Sequence, residues 1–206
     1  MTTAHDLLVV AADKDIEQTI FGLLERPRAI GIRDVTTEIL VHSGRDPGCF
    51  TSGHEIADRY AATHAHVLII FDRDWESAPT RDPLALENTV TERLSPRWGE
   101  RGACVVIDPE IEAWVFSDSP HVDSILGWAG KSPDLRTWLR RQGLLEDGAT
   151  KPSDPKRAFE VAIRAARTRN SAALFGQLAR TVSVERCADP SFLRLLAVLR
   201  RWFPAR

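Results

Sequence analysis

Four short apolar runs punctuate the first half of the chain: LLVVAA at 7–12, EILVH at 38–42, VLIIF at 67–71 and ACVVID at 103–108. Each is too short for a helix and largely continuous in apolar character, the pattern of a strand buried on both faces of a parallel sheet. The intervening segments switch to helical spacing. Ile16, Ile20, Leu23 and Leu24 share one face of a helix that stops near Pro27. A second helix is predicted over about 54–63, and Asp82-Pro83 offers a cap and a first-turn proline for a third that runs to Leu94. This βαβαβαβ order predicts an α/β fold, a mainly parallel sheet with helices on both faces.

After Asp108 the strand pattern stops. Pro109 opens a helix carrying Ile111, Trp114 and Val115, and later helices are predicted over 133–141, 155–169, 171–181 and 191–202. Phe159, Ala162, Ile163 and Ala166, and again Phe192, Leu195, Leu196 and Leu199, recur at i, i+3, i+4 and i+7 as core-facing stripes. The segment 146–155, rich in Gly, Pro, Asp and Ser, is the expected hinge between an α/β domain (1–145) and an α-helical C-terminal extension (146–206).

Acids gather where the strands end. Asp13, Asp15 and Glu17 follow the first strand, Asp72 and Asp74 the third, and Asp108, Glu110 and Glu112 the fourth. In a parallel sheet these ends share one edge, which is where open α/β sheets place their ligands. Alternation along an extended chain would point Asp72 and Asp74 the same way. Such a pair repels itself unless a cation sits between the carboxylates, and Mg2+ or Mn2+ suits hard oxygen ligands. The plainer reading is a polar strand end neutralised by Arg73, with acids in first helical turns for dipole reasons.

Charge is unevenly placed. Residues 1–150 hold 15 Lys and Arg against 25 Asp and Glu, whereas 151–206 hold 12 against 4. The basic part could face phosphates or an acidic protein, or the two parts could neutralise each other across their interface. Lys156, Arg157, Arg164 and Arg167 fall near one face of a predicted helix, and Lys14 and Arg45 lie by the acidic edge, so all six are candidates for nucleic-acid contact. His42, His54, His64 and His66 show no metal-ligand spacing, and Arg45-Asp46-Pro47-Gly48 reads as turn chemistry. Cys49, Cys104 and Cys187 are odd in number and widely spaced, which fits a reducing cytoplasm. No apolar run is long enough for a membrane span, and MTTAHDLLVV has no basic leader pattern.

A short acid-bearing first strand and a central strand ending in Asp-x-Asp resemble the Toprim fold of topoisomerases, primases and overcoming-lysogenization-defect nucleases. IDPEIEAWVFSD at 107–118 is similar to the Pro-Glu-x-Glu-x-Trp signature of standalone Toprim-like proteins from bacterial defence and mobile-element loci. KPSDPKRAF at 151–159 and DPSFLRLLAVL at 189–199 resemble that group's helical part, so the resemblance spans nearly the whole chain. AADKDIEQTIFGLLERPRAIGIR at 11–33 resembles a subgroup linked to methylation-associated phage defence. The resemblance implies a magnesium-dependent nuclease or phosphoryl-transfer protein. Its motifs match Asp72 and Asp74, as catalytic and metal-binding acids, and Glu112, as a catalytic one; Asp13, for catalysis and metal, and Asp15 and Glu17, for metal, are the strand-one acids that could complete the site. Ala11 stands where the family carries a glutamate, with Asp13 the nearest replacement. That departure admits a second expectation: a non-catalytic adaptor that binds a protein from the same defence locus through its helical extension. A nucleotide-binding α/β protein is a third, for which no phosphate-loop fingerprint is present.

Overall fold

The computed structural model describes residues 5–205 and contains one all-parallel sheet of four strands, ordered β2-β1-β3-β4. The strands are β1 (His5–Ala11), β2 (Thr37–Val41), β3 (His64–Asp72) and β4 (Gly102–Ile107). The first four residues of the segment read above as lacking a leader lie outside the described residues. The parallel α/β architecture expected from the apolar runs is the one observed. Residues 7–11 of β1 and 67–71 of β3 are fully buried, as their unbroken apolar character requires of the two central strands.

Helix α1 (Lys14–Leu24), with the single-turn α2 (Pro27–Ile30), carries the chain from β1 to β2. Helix α3 (Arg45–Asp58) leads from β2 to β3, and α4 (Pro83–Trp98) from β3 to β4. Right-handed crossovers put α1 on one face and α3 with α4 on the other, and α3 does pack against α4. The chain leaves β1 toward one edge of the sheet and leaves β3 toward the opposite edge. The carboxyl ends of β1 and β3 therefore flank the topological switch point, the natural crevice of an open parallel sheet.

The predicted second helix begins earlier than its apolar spacing suggested. Arg45-Asp46-Pro47-Gly48 is the first turn of α3, because proline is tolerated there, its missing N–H being one of the helix's unbonded donors anyway.

The remaining helices are α5 (Glu112–Val115), α6 (Pro120–Ile125), α7 (Leu135–Arg141), α8 (Pro155–Ala166), α9 (Ala172–Thr181) and α10 (Pro190–Trp202). The apolar stripes of α8 and α10 are buried as expected, save for the half-buried Ala166 at the end of α8. The C-terminal helices close over the sheet layer: α9 packs along α1 and α10 against β4. Arg26 donates to the carbonyls of Ala179 and Val182, and Arg200 to that of Ile30. The ion pairs Lys156–Glu110, Arg180–Glu25 and Arg194–Glu87 join the basic and acidic parts of the chain, so a share of the charge asymmetry is neutralised internally.

Edge strand β4 is capped by two side chains. Glu87 accepts the N–H of Val106 at 2.8 Å, and Arg194 donates to the Val106 carbonyl at 3.1 Å while bonding Glu87 at 2.9 Å. The pair satisfies both backbone groups of Val106 on the edge strand, where a further strand would otherwise pair. An apolar void of ≈ 50 Å³, lined by Leu23, Trp114, Phe175, Leu178 and Phe192 among others, lies between α1, α5, α9 and α10. Its wall is almost wholly apolar, so it is a packing gap. Among the described residues, no helix is long and apolar enough to cross a membrane.

Candidate functional site

Asp72 is the last residue of β3 and sits at the switch point, only 9 % exposed. Its Oδ1 is buried without a hydrogen-bond partner. Burial pushes this carboxyl well above the usual range, and the charges of Asp46, Glu112, Asp13 and Glu110 push it further, in that order. Four acids that follow three other strands therefore act on Asp72.

Asp46 comes from the first turn of α3, and its Oδ1 accepts the Asp72 backbone N–H at 2.9 Å. Burial raises its carboxyl, with Asp13 adding to the effect, against the opposing hydrogen bond from Asp72. The start of α3 is positioned by His42 at the end of β2. The Gly44 N–H donates to His42 Nδ1 at 2.9 Å, so the proton resides on Nε2 and is directed at Ser52 Oγ, 3.1 Å away. Gly48 lies so close that a Cβ there would stand 2.3 Å from His42 Nδ1. Arg45 adopts a left-handed backbone, φ 52°, and its guanidinium reaches Asp13 Oδ2 at 3.4 Å.

Asp13 caps α1, its Oδ1 accepting the N–H groups of Asp15 and Ile16 at 2.9 and 3.0 Å. Asp15 is raised by burial and then by Asp13, with Arg45 and Lys156 opposing. Glu112 is buried at the start of α5, and burial, aided by Glu110 and Asp15, pushes its carboxyl up to about 7. Lys156 of α8 reaches into the same crevice and donates to Glu110 at 2.5 Å. Burial pulls its ammonium down, but Glu110, Glu112 and Asp72 together hold it above the ordinary lysine range. An open cleft of ≈ 390 Å³ adjoins the acids, lined by Asp13, Lys14, Asp15, His42, Ser43 and Arg45 among others.

The structure brings together Asp13, Asp15, Asp72 and Glu112, and adds Asp46 and Glu110, which sequence reasoning had not assigned. It does not bring in Asp74. β3 ends at Asp72; the N–H groups of Arg73 and Asp74 turn to the carbonyls of Ile107 and Pro109, so strand alternation no longer applies. Asp74 is half-exposed and paired with Arg81. Glu17 is paired at 2.8 Å with Lys14 along α1 and is not among the groups acting on Asp72. The helix expected from Pro109 begins only at Glu112, so Glu110 and Glu112 are not neighbours on one helix, and both act on Asp72.

The basic stripe also divides. Lys156 belongs to the acid crevice, whereas Arg157 and Arg164 are exposed and Arg167 ends α8 in a left-handed conformation, φ 60°. The three motif segments meet in a buried network. Trp114 Nε1 donates to Ser191 Oγ at 2.8 Å, Ser191 Oγ to Asp189 at 2.5 Å, and Lys151 to Asp189 at 2.9 Å. This network fastens the residues preceding α8 to α10 and α5, and so steadies Lys156 opposite Glu110.

The donor set of the crevice fits a hard divalent cation: oxygen ligands, net negative charge, and an orphaned buried carboxylate oxygen. Mg2+ keeps several waters and takes only one or two carboxylates beside a phosphate, so a closed cage is not required. Among the described residues, three offered ligand atoms come within 4.8 Å of one another at a different place, His5, Glu38 and His64, and these side chains could hold a metal ion. Comparison with protein-family models, curated proteins and solved structures returned no match.

Proposed function

We propose that the crevice at the ends of β1 and β3 takes Mg2+ or Mn2+, and that the protein is a metal-dependent nuclease or related phosphoryl-transfer enzyme acting on nucleic acid. The observation that carries this reading is Asp72: buried, lacking a partner for Oδ1, and faced by four other carboxylates at the switch point. The Toprim-like resemblance supplies the substrate class and the setting, phage defence. Asp72, with Asp46 or Asp13, would hold the ion. Bound there, it would polarise a phosphodiester and offset charge on the leaving oxygen. Lys156 and Arg45 flank the acids and would hold the nucleic-acid backbone against them. Exposed Arg157 and Arg164 would extend that contact along α8.

The test is cleavage of single- and double-stranded DNA and RNA by purified protein with Mg2+ or Mn2+. Metal-stimulated cleavage that disappears in Asp72→Asn, with an unchanged circular dichroism spectrum, is expected. No cleavage of any substrate would reject the enzyme reading. One observation favours the adaptor instead: Ala11 is fully buried at the end of β1, and the nearby Asp13 spends one oxygen on capping α1. An adaptor would bind its protein partner equally well as Asp72→Asn and lose it on charge reversal of Arg157 and Arg164.

A further inference from the structure

At the opposite edge of the sheet, far along the strands from Asp72, His5 opens β1, His64 opens β3, and Glu38 is the second residue of β2. His5 and His64 are register partners, and their rings stack at 4.9 Å. We propose that His5, Glu38 and His64 form a zinc-class metal site, separate from the carboxylate crevice, that ties together the starts of the three adjacent strands.

Three observations point to a ligand. His64 is 1 % exposed, yet its Nε2 makes no hydrogen bond. That nitrogen stands 3.4 Å from Glu38 Oε2. Two ligands bonded to one tetrahedral zinc at ordinary lengths are about 3.4 Å apart, so these two atoms already hold the spacing of a coordination edge. Finally, His64 Nδ1 is engaged by Thr63 Oγ1 at 3.0 Å, the orienting contact that metal-binding imidazoles characteristically make through their other nitrogen.

The offered atoms all lie within 4.8 Å of one another, and bringing both imidazole lone pairs onto one ion asks the less buried His5 ring to rotate out of its stack with His64. Two imidazoles and one carboxylate select zinc, cobalt or nickel over magnesium, which prefers oxygen. Three protein ligands leave a fourth position for water or an external ligand. Because the three residues sit on different strands, binding is coupled to their pairing and stabilises the fold.

The experiment is titration of metal-free full-length protein with Zn2+ by calorimetry and thermal denaturation. Titration with Co2+, read by visible absorption, reports coordination directly. The first and tightest equivalent of Zn2+ should raise the melting temperature, ahead of any occupancy of the carboxylate crevice, and Co2+ should give the absorption of a tetrahedral nitrogen–oxygen site. His5→Ala and Glu38→Gln, at the less buried positions, should each weaken binding at least about tenfold, while Asp72→Asn leaves it unchanged. Absence of Zn2+ binding, or binding indifferent to both substitutions, overturns the proposal. Loss of binding in Asp72→Asn alone would place the ion in the carboxylate crevice and overturn it as well.

Discussion

The side chain of Asp46 accepts the backbone N–H of Asp72 at 2.9 Å, joining the first turn of α3 to the end of β3, and both carboxyls are raised above their ordinary range. The bond eases the burial of Asp46, while both carboxyls remain costly to ionise at the switch crevice. Such an arrangement trades stability for function.

Asp72→Asn preserves volume and replaces a carboxyl that burial and four neighbouring acids make costly to ionise. In metal-free buffer it should stabilise the protein by about 1 kcal/mol, or roughly 2–4 °C in melting temperature for a chain of this size. Mg2+ should raise the melting temperature of the parent protein but not of the variant. Differential scanning calorimetry with and without Mg2+ checks both; an unchanged or lower metal-free value in Asp72→Asn would show that Asp72 is not strained by its neighbours.

Glu112 sets a pH dependence. Burial pushes its carboxyl up to about 7 in the fold, against about 4.5 for an ordinary glutamate. Between those values the folded state holds a proton that the unfolded chain has lost. The contribution therefore favours folding at low pH and fades as pH rises from about 4.5 to 7, by on the order of 3 kcal/mol. Burial pushes the imidazoles of His42 and His66 downward, which acts in the opposite direction on acidification. The difference between the parent and Glu112→Gln isolates the glutamate. Chemical denaturation of metal-free protein at pH 5.5 and 7.5 should show a smaller loss of stability with rising pH in Glu112→Gln; equal losses would remove Glu112 from the buried cluster.

Glu87 and Arg194 should behave as a unit. Arg194→Met leaves the Glu87 carboxylate buried beside Val106 and should cost about 3–5 kcal/mol. Adding Glu87→Gln should recover part of that loss, because the amide oxygen still accepts the Val106 N–H. Urea denaturation of both single variants and the double variant measures the coupling. Additive losses would mean that the two side chains do not act together on the β4 edge.

Gly48→Ala tests how α3 is placed. A methyl group would collide with His42 and displace the turn that carries Asp46. We expect a loss of about 1–3 kcal/mol and weaker metal-stimulated cleavage. Unchanged stability and cleavage would show that the turn carrying Asp46 accommodates the methyl group freely.

The fold was legible because the two central strands are wholly dry and so wholly apolar in sequence. Asp72 was legible for the same reason, as the first charge after such a run. Asp74 misled because a strand's alternation ends with the strand, and hydrogen bonds from Arg73 and Asp74 to the β4 end redirect the chain. Asp46 was hidden inside a segment whose proline and glycine suggested a turn. Its one signal was its place just after the second strand, the position that marked the other acids. Lys156 read as part of a surface stripe, since nothing local records that α8 begins opposite Glu110. His5, Glu38 and His64 were invisible as a group because only the register of three strands brings them together.

The most direct test of the carboxylate crevice is an anomalous difference map from crystals of the metal-free protein soaked in Mn2+. A manganese peak in contact with an Asp72 carboxylate oxygen, with Asp46, Asp13 or Glu112 beside it, is the expected result. A fully soaked crystal with no manganese at Asp72, whether or not the ion appears at His5, Glu38 and His64, would contradict the assignment of this crevice as the metal-binding centre.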